Sequence, residues 1–376
     1  MNIGIDASRA NRAAKTGTEW YSYNLILELA KIDSRNRYFL YSPDKLGGEM
    51  SSLPDNFREK TLSWPPRYLW TMVRLSWEMK WRSPDVLFVP AHIIPLVSPA
   101  RTVTTIMDIG FVSKPELYPQ KELKYHNFGL RQAIQKASRI LTISNFSKEE
   151  MVKQCDIDPE RIQVIYLGFD AGIFQPTRDR AKIKTALRKY KIPTATPYFL
   201  YIGRLEEKKN TPGLIKAFAK FKKENLAGQC KLVLAGSPGH NYEKVRELII
   251  QNKLAEEVIE TGWVAEEDLP VLLSASLAFI FPSFYEGFGL PLLEAMSCWT
   301  PILAARAASI PEVTKGAALL FDPYDVPDMA KKMETIANNE TLRIDLVQRG
   351  NKRVKDFSWG KCARETLQAI EKVAGD

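Results

Sequence analysis

The segment AFIFPSFYEGFGLPLLEAM, residues 278–296, determines how the rest of the chain can be interpreted. It opens with four apolar residues, a pattern typical of a strand buried on both faces. Pro291 is favourable in the first turn of a helix, which predicts that residues 287–290 lead into a helix N-terminus. Strand, loop and helix in this order form the unit of a parallel α/β sheet, where ligands bind at the carboxyl ends of the strands. We therefore expect functional residues on this loop.

The same apolar runs recur on both sides of this segment, separated by stretches of helix length. The predicted strands are 3–7, 38–42, 86–90, 102–107, 140–144, 164–166, 198–202, 231–235, 258–261, 278–281, 301–304 and 318–321. The rhythm pauses between residues 172 and 183. The chain is therefore predicted to be an α/β protein with two Rossmann-like domains, 1–172 and 183–358, facing across a cleft.

Composition narrows the class of protein. The chain has 376 residues, which excludes a disulfide-stabilised miniprotein. Of these residues, 45% are hydrophobic and 26% charged, a composition that excludes a disordered chain. Its four cysteines are scattered and its three histidines form no metal-binding pair, so we expect no metal site. The formal net charge of +9 favours a polyanionic partner: nucleic acid, an acidic membrane surface or a phosphorylated small molecule.

The N-terminus MNIGIDAS has the pattern of a strand rather than of a signal peptide, and no apolar run is long enough to span a bilayer. These features predict a cytoplasmic protein. Any membrane contact would then be peripheral, at the inner face of the cell membrane.

The loop after the predicted strand 198–202 reads GRLEEKKN and begins at Gly203. It brings Arg204 and Lys209 to one strand end, where a planar guanidinium and a mobile ammonium can bind the oxygens of a diphosphate. A solvated surface loop is the alternative for such a pair of cations.

Two carboxylates follow on the segment that opened this section. Glu286 lies on the loop and Glu294 about one turn inside the predicted helix, so the two would contact different parts of one ligand. Carboxylates accept paired hydrogen bonds from sugar hydroxyls, and the free amides of residues 287–290 suit an anion. The alternative is a helix capped by Glu286 with Glu294 on its exposed face.

These segments resemble the retaining glycosyltransferases of family 4. FYEGFGLPLLEAM is similar to the E-x7-E signature, GRLEEKKN to the GR…KN phosphate loop, and LGFD at 167–170 to the interdomain NGVD. Residues 308–325 resemble the SLPE…LFDP segment, and FSWGKCARETLQAIEKV resembles the terminal helix that crosses back onto the first domain. The resemblances occur in family order and cover most of the chain.

The resemblance implies a GT-B fold, with helix 359–376 returning to the first domain, and transfer of a sugar from a nucleotide donor with retention at the anomeric carbon. Arg204 and Lys209 would bind the donor diphosphate, Glu286 the transferred sugar and Glu294 the ribose. The remaining contacts with sugar and phosphate would come from Gly203, Gly287, Phe288, Gly289 and Leu290.

On the first domain, Gly17 in KTGTEWY resembles the glycine of the loop that approaches the donor phosphates, although Thr16 stands where the family has a second glycine. The family often has His-Asp after the strand 103–106, whereas this chain has Met107 and Asp108. A thioether donates no hydrogen bond, so we consider His92 as its substitute. Asp108 is predicted to contact the acceptor, with a turn-forming role as the alternative.

The SIPEV…FDP stretch resembles mannosyltransferases most, which favours GDP-mannose as donor over UDP-glucose and related nucleotides. The resemblance implies a glycan or lipid-linked acceptor in cell-surface polysaccharide synthesis. We expect no cofactor and no metal, because the cations of the phosphate loop can replace one. The DxD sequence at 156–158 precedes Pro159 and is predicted to be a helix-ending turn.

Between residues 58 and 82 six basic residues outnumber two glutamates, and Trp70, Val73, Trp77 and Trp81 are predicted to share one helical face. Such a segment can rest in a membrane interface or hold a lipid-linked acceptor. An apolar stripe packed on the domain core is the alternative.

Two other classes of protein remain to be weighed. A glycosidase needs two carboxylates flanking the scissile bond, whereas Glu286 and Glu294 flank one helix start. A non-enzymatic nucleotide or nucleic-acid binding module is suggested by the basic charge, but the sequence has no helix-turn-helix, RNP or zinc pattern, so we expect no nucleic-acid partner.

Overall fold

The computed structural model describes residues 1–64, 69–224 and 229–375. The chain forms two compact units: the first comprises Met1–Gly168 and Phe357–Asp376, the second Phe169–Asp356. The division predicted from the sequence, at residues 172 and 183, lies slightly further along the chain than this one.

Strands and helices alternate through both units. The described strands are β1 (Asn2–Asp6), β2 (Arg37–Ser42), β3 (Phe57–Thr61), β4 (Val86–Val89), β5 (Thr102–Thr105), β6 (Arg139–Thr142), β7 (Ile162–Val164), β8 (Tyr198–Ile202), β9 (Lys231–Ala235), β10 (Val258–Gly262), β11 (Ala278–Phe281), β12 (Ile302–Ala305) and β13 (Leu319–Phe321). The helices are α1 (Gly17–Ile32), α2 (Trp70–Trp81), α3 (Gly110–Ser113), α4 (Gln120–Lys136), α5 (Asn145–Cys155), α6 (Arg180–Lys189), α7 (Thr211–Lys223), α8 (Tyr242–Gln251), α9 (Leu269–Ala275), α10 (Leu290–Ser297), α11 (Ile310–Thr314), α12 (Val326–Asn338), α13 (Glu340–Arg353) and α14 (Trp359–Gly375).

Each unit is built on one parallel sheet. Within the described residues, the strand order is β3-β2-β1-β4-β5-β6-β7 in the first unit and β10-β9-β8-β11-β12-β13 in the second. The predicted α/β fold with two Rossmann-like halves is confirmed. Strand β3 was not predicted because it lies at the sheet edge and buries only Phe57 of its five residues, so it has no apolar run.

The strands are buried because helices cover both faces of each sheet. In the second unit, β8 contributes Phe199 and Leu200 to the core, while α7 buries Phe218 and Phe221 and keeps its lysines outside. The rings of Phe199 and Phe221 pack edge to face with centroids 5.6 Å apart. This packing fixes the strand ends from which the site loops start.

The C-terminal helix α14 packs against α1 in the first unit, as the resemblance implied. The rings of Trp359 and Tyr21 lie 6.4 Å apart, and Asn36 donates a hydrogen bond of 3.4 Å to Glu371. A side chain at Gly168 would lie only 2.0 Å from the backbone nitrogen of Trp359. The glycine of the LGFD segment thus permits the chain to pass closely over the start of this helix.

The face predicted on helix α2 from Trp70, Val73, Trp77 and Trp81 is partly buried and partly exposed. Trp70 is buried and donates from Nε1 to the carbonyl of Leu62 at 2.8 Å, so the membrane-interface interpretation does not hold for this residue. Val73, Trp77 and Trp81 are exposed, which contradicts a stripe packed on the core. Residues 65–68 of the basic segment, including Arg67, lie outside the described residues. Across the part of the chain that is described, no helix is both long enough and apolar enough to cross a bilayer.

Candidate active site

The site predicted in the second unit lies between β8 and β11, which pair side by side. The chain adds β9 and β10 on one side of β8, and then β11, β12 and β13 on the other. The pair is thus the point where strand order reverses, which is where open α/β sheets bind ligands. The loops after β8 and β11 leave the sheet at the same edge because the strands are parallel.

The loop after β8 is held by backbone contacts with the loop after β9. The amide of Leu205 donates to the carbonyl of Ser237 at 3.0 Å, and the amide of Gly239 donates to the carbonyl of Leu205 at 3.0 Å. Gly203 is attached in the same way, through its amide, to the carbonyl of Ala235 at 3.0 Å. The predicted phosphate loop is therefore anchored along its backbone.

Lys209 and Glu286 meet across the two loops. Lys209 Nζ lies 2.6 Å from Glu286 Oε1, and the side chains are only 25% and 12% exposed. Arg204 is different: its side chain is 69% exposed, and its Nε lies 3.6 Å from Glu206 Oε2. The structure thus brings together the predicted diphosphate ligand Lys209 and the predicted sugar ligand Glu286, and leaves the Arg204 guanidinium open to solvent.

Ser309 holds the loop after β11 in place. Its hydroxyl lies 2.9 Å from the carbonyl oxygen of Glu286 and 3.2 Å from that of Phe288, and all three residues belong to the second unit. Ser309 belongs to the SIPE segment, and no role was predicted for it from the sequence. A signal was present, since a serine just before a proline-containing helix start often bonds to nearby backbone.

The loop ends at Gly289, which precedes α10 with φ +99°. A Cβ at this position would lie 2.9 Å from Leu292 Cδ1 and 3.2 Å from Phe281, so glycine is required by both conformation and space. Helix α10 then begins at Leu290 with Pro291 in its first turn, as predicted. Gly287 and Phe288 lie on the loop between Glu286 and this glycine.

Glu294 lies in α10 and is half-buried, not fully exposed as the alternative required. Burial, with a smaller contribution from the charge of Glu266, raises the pKa of Glu294 to about 8. A carboxyl in this environment is protonated in much of the free protein at neutral pH. It can both donate and accept hydrogen bonds, as a ribose diol requires.

The predicted residues of the first unit are not gathered into one cluster. Gly17 begins α1, and a Cβ there would have no neighbour within 4 Å. Asp108 Oδ1 accepts the amide of Gly110 at 2.9 Å, the turn-forming role that was its alternative. His92 was considered as the substitute for the family histidine, but its Nε2 lies 2.9 Å from Nδ1 of His126 and is engaged by this second imidazole.

The aspartates of the DxD sequence serve as turn residues. Asp156 ends α5 in the left-handed conformation with φ 52°, and Asp158 accepts the amide of Glu160 at 2.9 Å. Among the described residues, no three side chains of histidine, cysteine, aspartate or glutamate converge in a group that could hold a metal ion.

Comparison with known proteins identifies the family of the chain. Residues 15–172 match the family model Glycosyltransferase Family 4, and residues 182–353 match that of Glycosyl transferases group 1. The chain belongs to the family 4 glycosyltransferases.

Three similar proteins illustrate the relationship. An O-antigen chain mannosyltransferase B of Escherichia coli is 34% identical over 271 residues, which are 72% of this chain and 70% of that protein. The serotype-specific mannosyltransferase WbdA of Escherichia coli is 28% identical over 64% of this chain, but this covers only 29% of WbdA. The solved sucrose-phosphate synthase of Thermosynechococcus elongatus has 20% identity and a TM-score of 0.77, covering 99% of this chain and 98% of that one. This last similarity shows the shared GT-B fold.

Proposed function

We propose that this protein is a retaining mannosyltransferase that uses GDP-mannose and acts on a glycan or lipid-linked acceptor in the synthesis of a surface polysaccharide. The observation that carries the proposal is the Lys209 to Glu286 ion pair of 2.6 Å at the edge where β8 and β11 end. It sets a phosphate-binding cation beside a hydroxyl-binding carboxylate. The preference for mannose rests on the names of the two Escherichia coli relatives.

The chemistry asked of the site is cleavage of the bond between the anomeric carbon and the leaving phosphate. Charge develops on that phosphate, and fixed cations stabilise it more in the transition state than in the ground state. Lys209 is fixed by Glu286, whereas the exposed Arg204 is free to turn toward a bound diphosphate. The acceptor oxygen attacks on the same face and its proton passes to the leaving phosphate oxygen, which gives retention without an enzyme nucleophile.

The donor is tested by thermal shift with GDP, UDP, ADP and dTDP. A nucleotide that binds only the folded protein raises its melting temperature by mass action, so GDP should give the largest shift. A larger shift with UDP would reject GDP-mannose and favour a UDP-glucose type of donor. No shift with any of the four would remove the nucleotide-sugar assignment.

The stereochemistry is tested on the product of a reaction with GDP-mannose, which carries an α-linked sugar. Retention predicts an α-mannoside in the nuclear magnetic resonance spectrum. A β-linked product would reject retention, and a covalent mannosyl adduct found by mass spectrometry would reject the direct role of the leaving phosphate.

We also propose that the first unit contacts the membrane through an interfacial face formed by Val73, Trp77, Trp81, Leu96 and Val97. All five side chains are exposed, with Trp77 and Trp81 at 65% and 66%. The segment with Leu96 is joined to α2 because the amide of Val97 donates to Ser76 at 3.1 Å.

The surroundings of the interfacial face are basic. Lys80 Nζ lies 5.3 Å from the centre of the Trp81 ring, and Lys136 Nζ donates to the carbonyl of Leu96 at 2.5 Å. Exposed tryptophans with lysines beside them favour binding to an anionic bilayer surface.

Flotation with phosphatidylglycerol and phosphatidylcholine vesicles tests this contact. Wild type should float preferentially with the anionic vesicles, and Trp77→Ala/Trp81→Ala should not. The matched control, Trp263→Ala/Trp299→Ala, removes two exposed tryptophans from the second unit and should float like wild type. Equal flotation of all three proteins, or of none, would reject the interfacial face.

A further inference from the structure

A cavity of about 770 Å³ lies within the first unit, at the carboxyl ends of β1 and β2. Most of its lining comes from three segments: the loop after β1 at residues 8–13, the end of β2 and the loop after it at residues 42–48, and the first turn of α2 at residues 69–72. Lys15, Tyr23, Met50 and Tyr125 complete the lining. All of the described residues that line it belong to the first unit. Its volume lies in the range of small-molecule sites.

The walls of the cavity are fastened to one another. Asn11 connects the first two segments, because its Nδ2 donates to the carbonyl of Lys45 at 2.8 Å and its Oδ1 accepts the amide of Gly47 at 3.0 Å. Thr71 attaches α2 by donating to Asp6 Oδ2 at 2.9 Å. The cavity is thus a built feature rather than a gap between loose loops.

The charge of the lining is positive. Of the described residues, the cations that line it are Arg9, Arg12, Lys15 and Lys45, and the carboxylate that lines it is Asp44. A second carboxylate, Glu19, lies buried beneath Arg9 and Arg12 at 3.1 and 3.5 Å.

Glu19 is ionised and positions the two guanidinium groups. Burial opposes its ionisation, but hydrogen bonds from Thr16 and the charge of Arg9 outweigh burial and lower the pKa of Glu19. One buried negative charge cannot neutralise two arginines, so Glu19 orients Arg9 and Arg12 and still leaves positive charge at the cavity. Lys15 is also held, with Nζ 4.7 Å from the centre of the Tyr23 ring.

We propose that this cavity binds the phosphate groups of the acceptor, and therefore that the acceptor is a lipid-linked phosphate or diphosphate rather than a neutral glycan. This rests on the proposed function, in which Arg204 and Lys209 of the second unit already bind the donor phosphates. A second cationic site on the other unit then serves the other substrate. Arginine forks and lysines are the groups suited to phosphate oxygens.

Helix α2 connects this cavity with the interfacial face. Its first turn, at Trp70, lines the cavity, and Trp77 follows seven residues later, about 10 Å along the helix axis. A ligand with its phosphate in the cavity can therefore place an attached alkyl chain along α2 toward the bilayer.

The test measures the binding of inorganic pyrophosphate by calorimetry, in full-length protein. Arg204→Ala/Lys209→Ala removes the donor cations, and we expect this variant still to bind pyrophosphate. Adding Arg12→Ala and Lys45→Ala should weaken the remaining binding about tenfold or more, as expected for losing charge-assisted contacts. Adding Lys121→Ala and Lys153→Ala instead, two lysines of the first unit outside the cavity, should leave it unchanged.

Loss of all pyrophosphate binding in Arg204→Ala/Lys209→Ala would overturn the inference, as would equal weakening by the two added pairs. Dodecyl phosphate should bind more tightly than inorganic phosphate, and Trp77→Ala/Trp81→Ala should remove this advantage. Equal binding of the two compounds would reject the lipid-linked acceptor. These readouts need no transfer activity, so failure of GDP-mannose turnover would count against the proposed function and not against the cavity.

Discussion

The loop after β8 in the second unit and the loop after β1 in the first unit both place cations beside a carboxylate, but in different ratios. Lys209 and Glu286 form a one-to-one pair, whereas Arg9 and Arg12 share the single carboxylate of Glu19. In the one-to-one pair, each partner fixes the other for contacts with a ligand that carries both phosphates and hydroxyls. The two-to-one cluster retains positive charge, so its main property is attraction of an anion.

The largest effect is expected from breaking the one-to-one pair. Lys209→Ala should lower kcat by about 100-fold to 1000-fold, because it removes a fixed donor from the developing phosphate charge. Steady-state kinetics with the nucleotide sugar measure this. Lys182→Ala, an exposed lysine of the same unit, is the control and should retain full activity. Turnover of Lys209→Ala at the wild-type rate would mean that the pair is only structural.

The rigidity of the loop after β11, which carries Glu286, can be tested at Gly289. Gly289→Ala should lower the free energy of unfolding by about 2–3 kcal/mol, since the left-handed backbone is unfavourable for alanine and the Cβ has no room. Urea denaturation gives this value. A loss below about 0.5 kcal/mol would show that the loop after β11 relaxes easily, which would contradict a fixed one-to-one pair in the second unit.

Glu294 gives the second unit a dependence of stability on pH. Because its folded pKa of about 8 exceeds the ordinary value of 4.5, the folded state binds more protons, and stability falls as pH rises from about 4.5 to about 8. Glu294→Gln lacks this titration, so the wild type should lose about 2 kcal/mol relative to it across this range, less than full linkage because the carboxyl is half-buried. Parallel pH profiles of the two proteins, from urea unfolding, would contradict the shift.

The smallest effect on stability is expected at Gly17 in the first unit. Gly17→Ala should change the free energy of unfolding by less than about 0.5 kcal/mol, because the Cβ would meet nothing within 4 Å. If the loop that carries Gly17 approaches the donor phosphates, the methyl group added by Gly17→Ala should displace those phosphates. This would reduce kcat/KM about tenfold even though the variant is stable. Full activity in a stable Gly17→Ala variant would show that the glycine has no part in binding.

Sequence alone predicted the two parallel sheets because buried strands such as β8 and β11 leave an apolar run that needs no structural information. It also predicted the loops that carry Arg204, Lys209 and Glu286 and the helix that carries Glu294, because these motif residues stand at fixed distances from a strand end. Strand β3 was missed because it is a mostly exposed edge strand and therefore has no run of apolar residues. The burial of Trp70 in α2 could not be predicted because helical spacing does not show which part of the helix a neighbouring loop covers.

The cationic cavity could not be predicted in the same way. Arg9, Arg12 and Lys45 belong to two loops that Asn11 connects by hydrogen bonds, and nothing in their spacing along the sequence indicates that they converge. The raised pKa of Glu294 likewise depends on burial and on Glu266, which is distant in sequence. Such properties arise from tertiary packing, whereas the motifs are local.

The return of α14 to the first unit affects the order in which the chain can fold. Residues 169–356 form an uninterrupted unit, whereas the first unit also needs residues 357–376, which are synthesised after the whole of the second unit. Until then, the surface of α1 that contacts α14, including Tyr21, stays open to solvent. In contrast to the usual N-terminal-first order of synthesis, the second unit can be complete while the first still awaits its final helix.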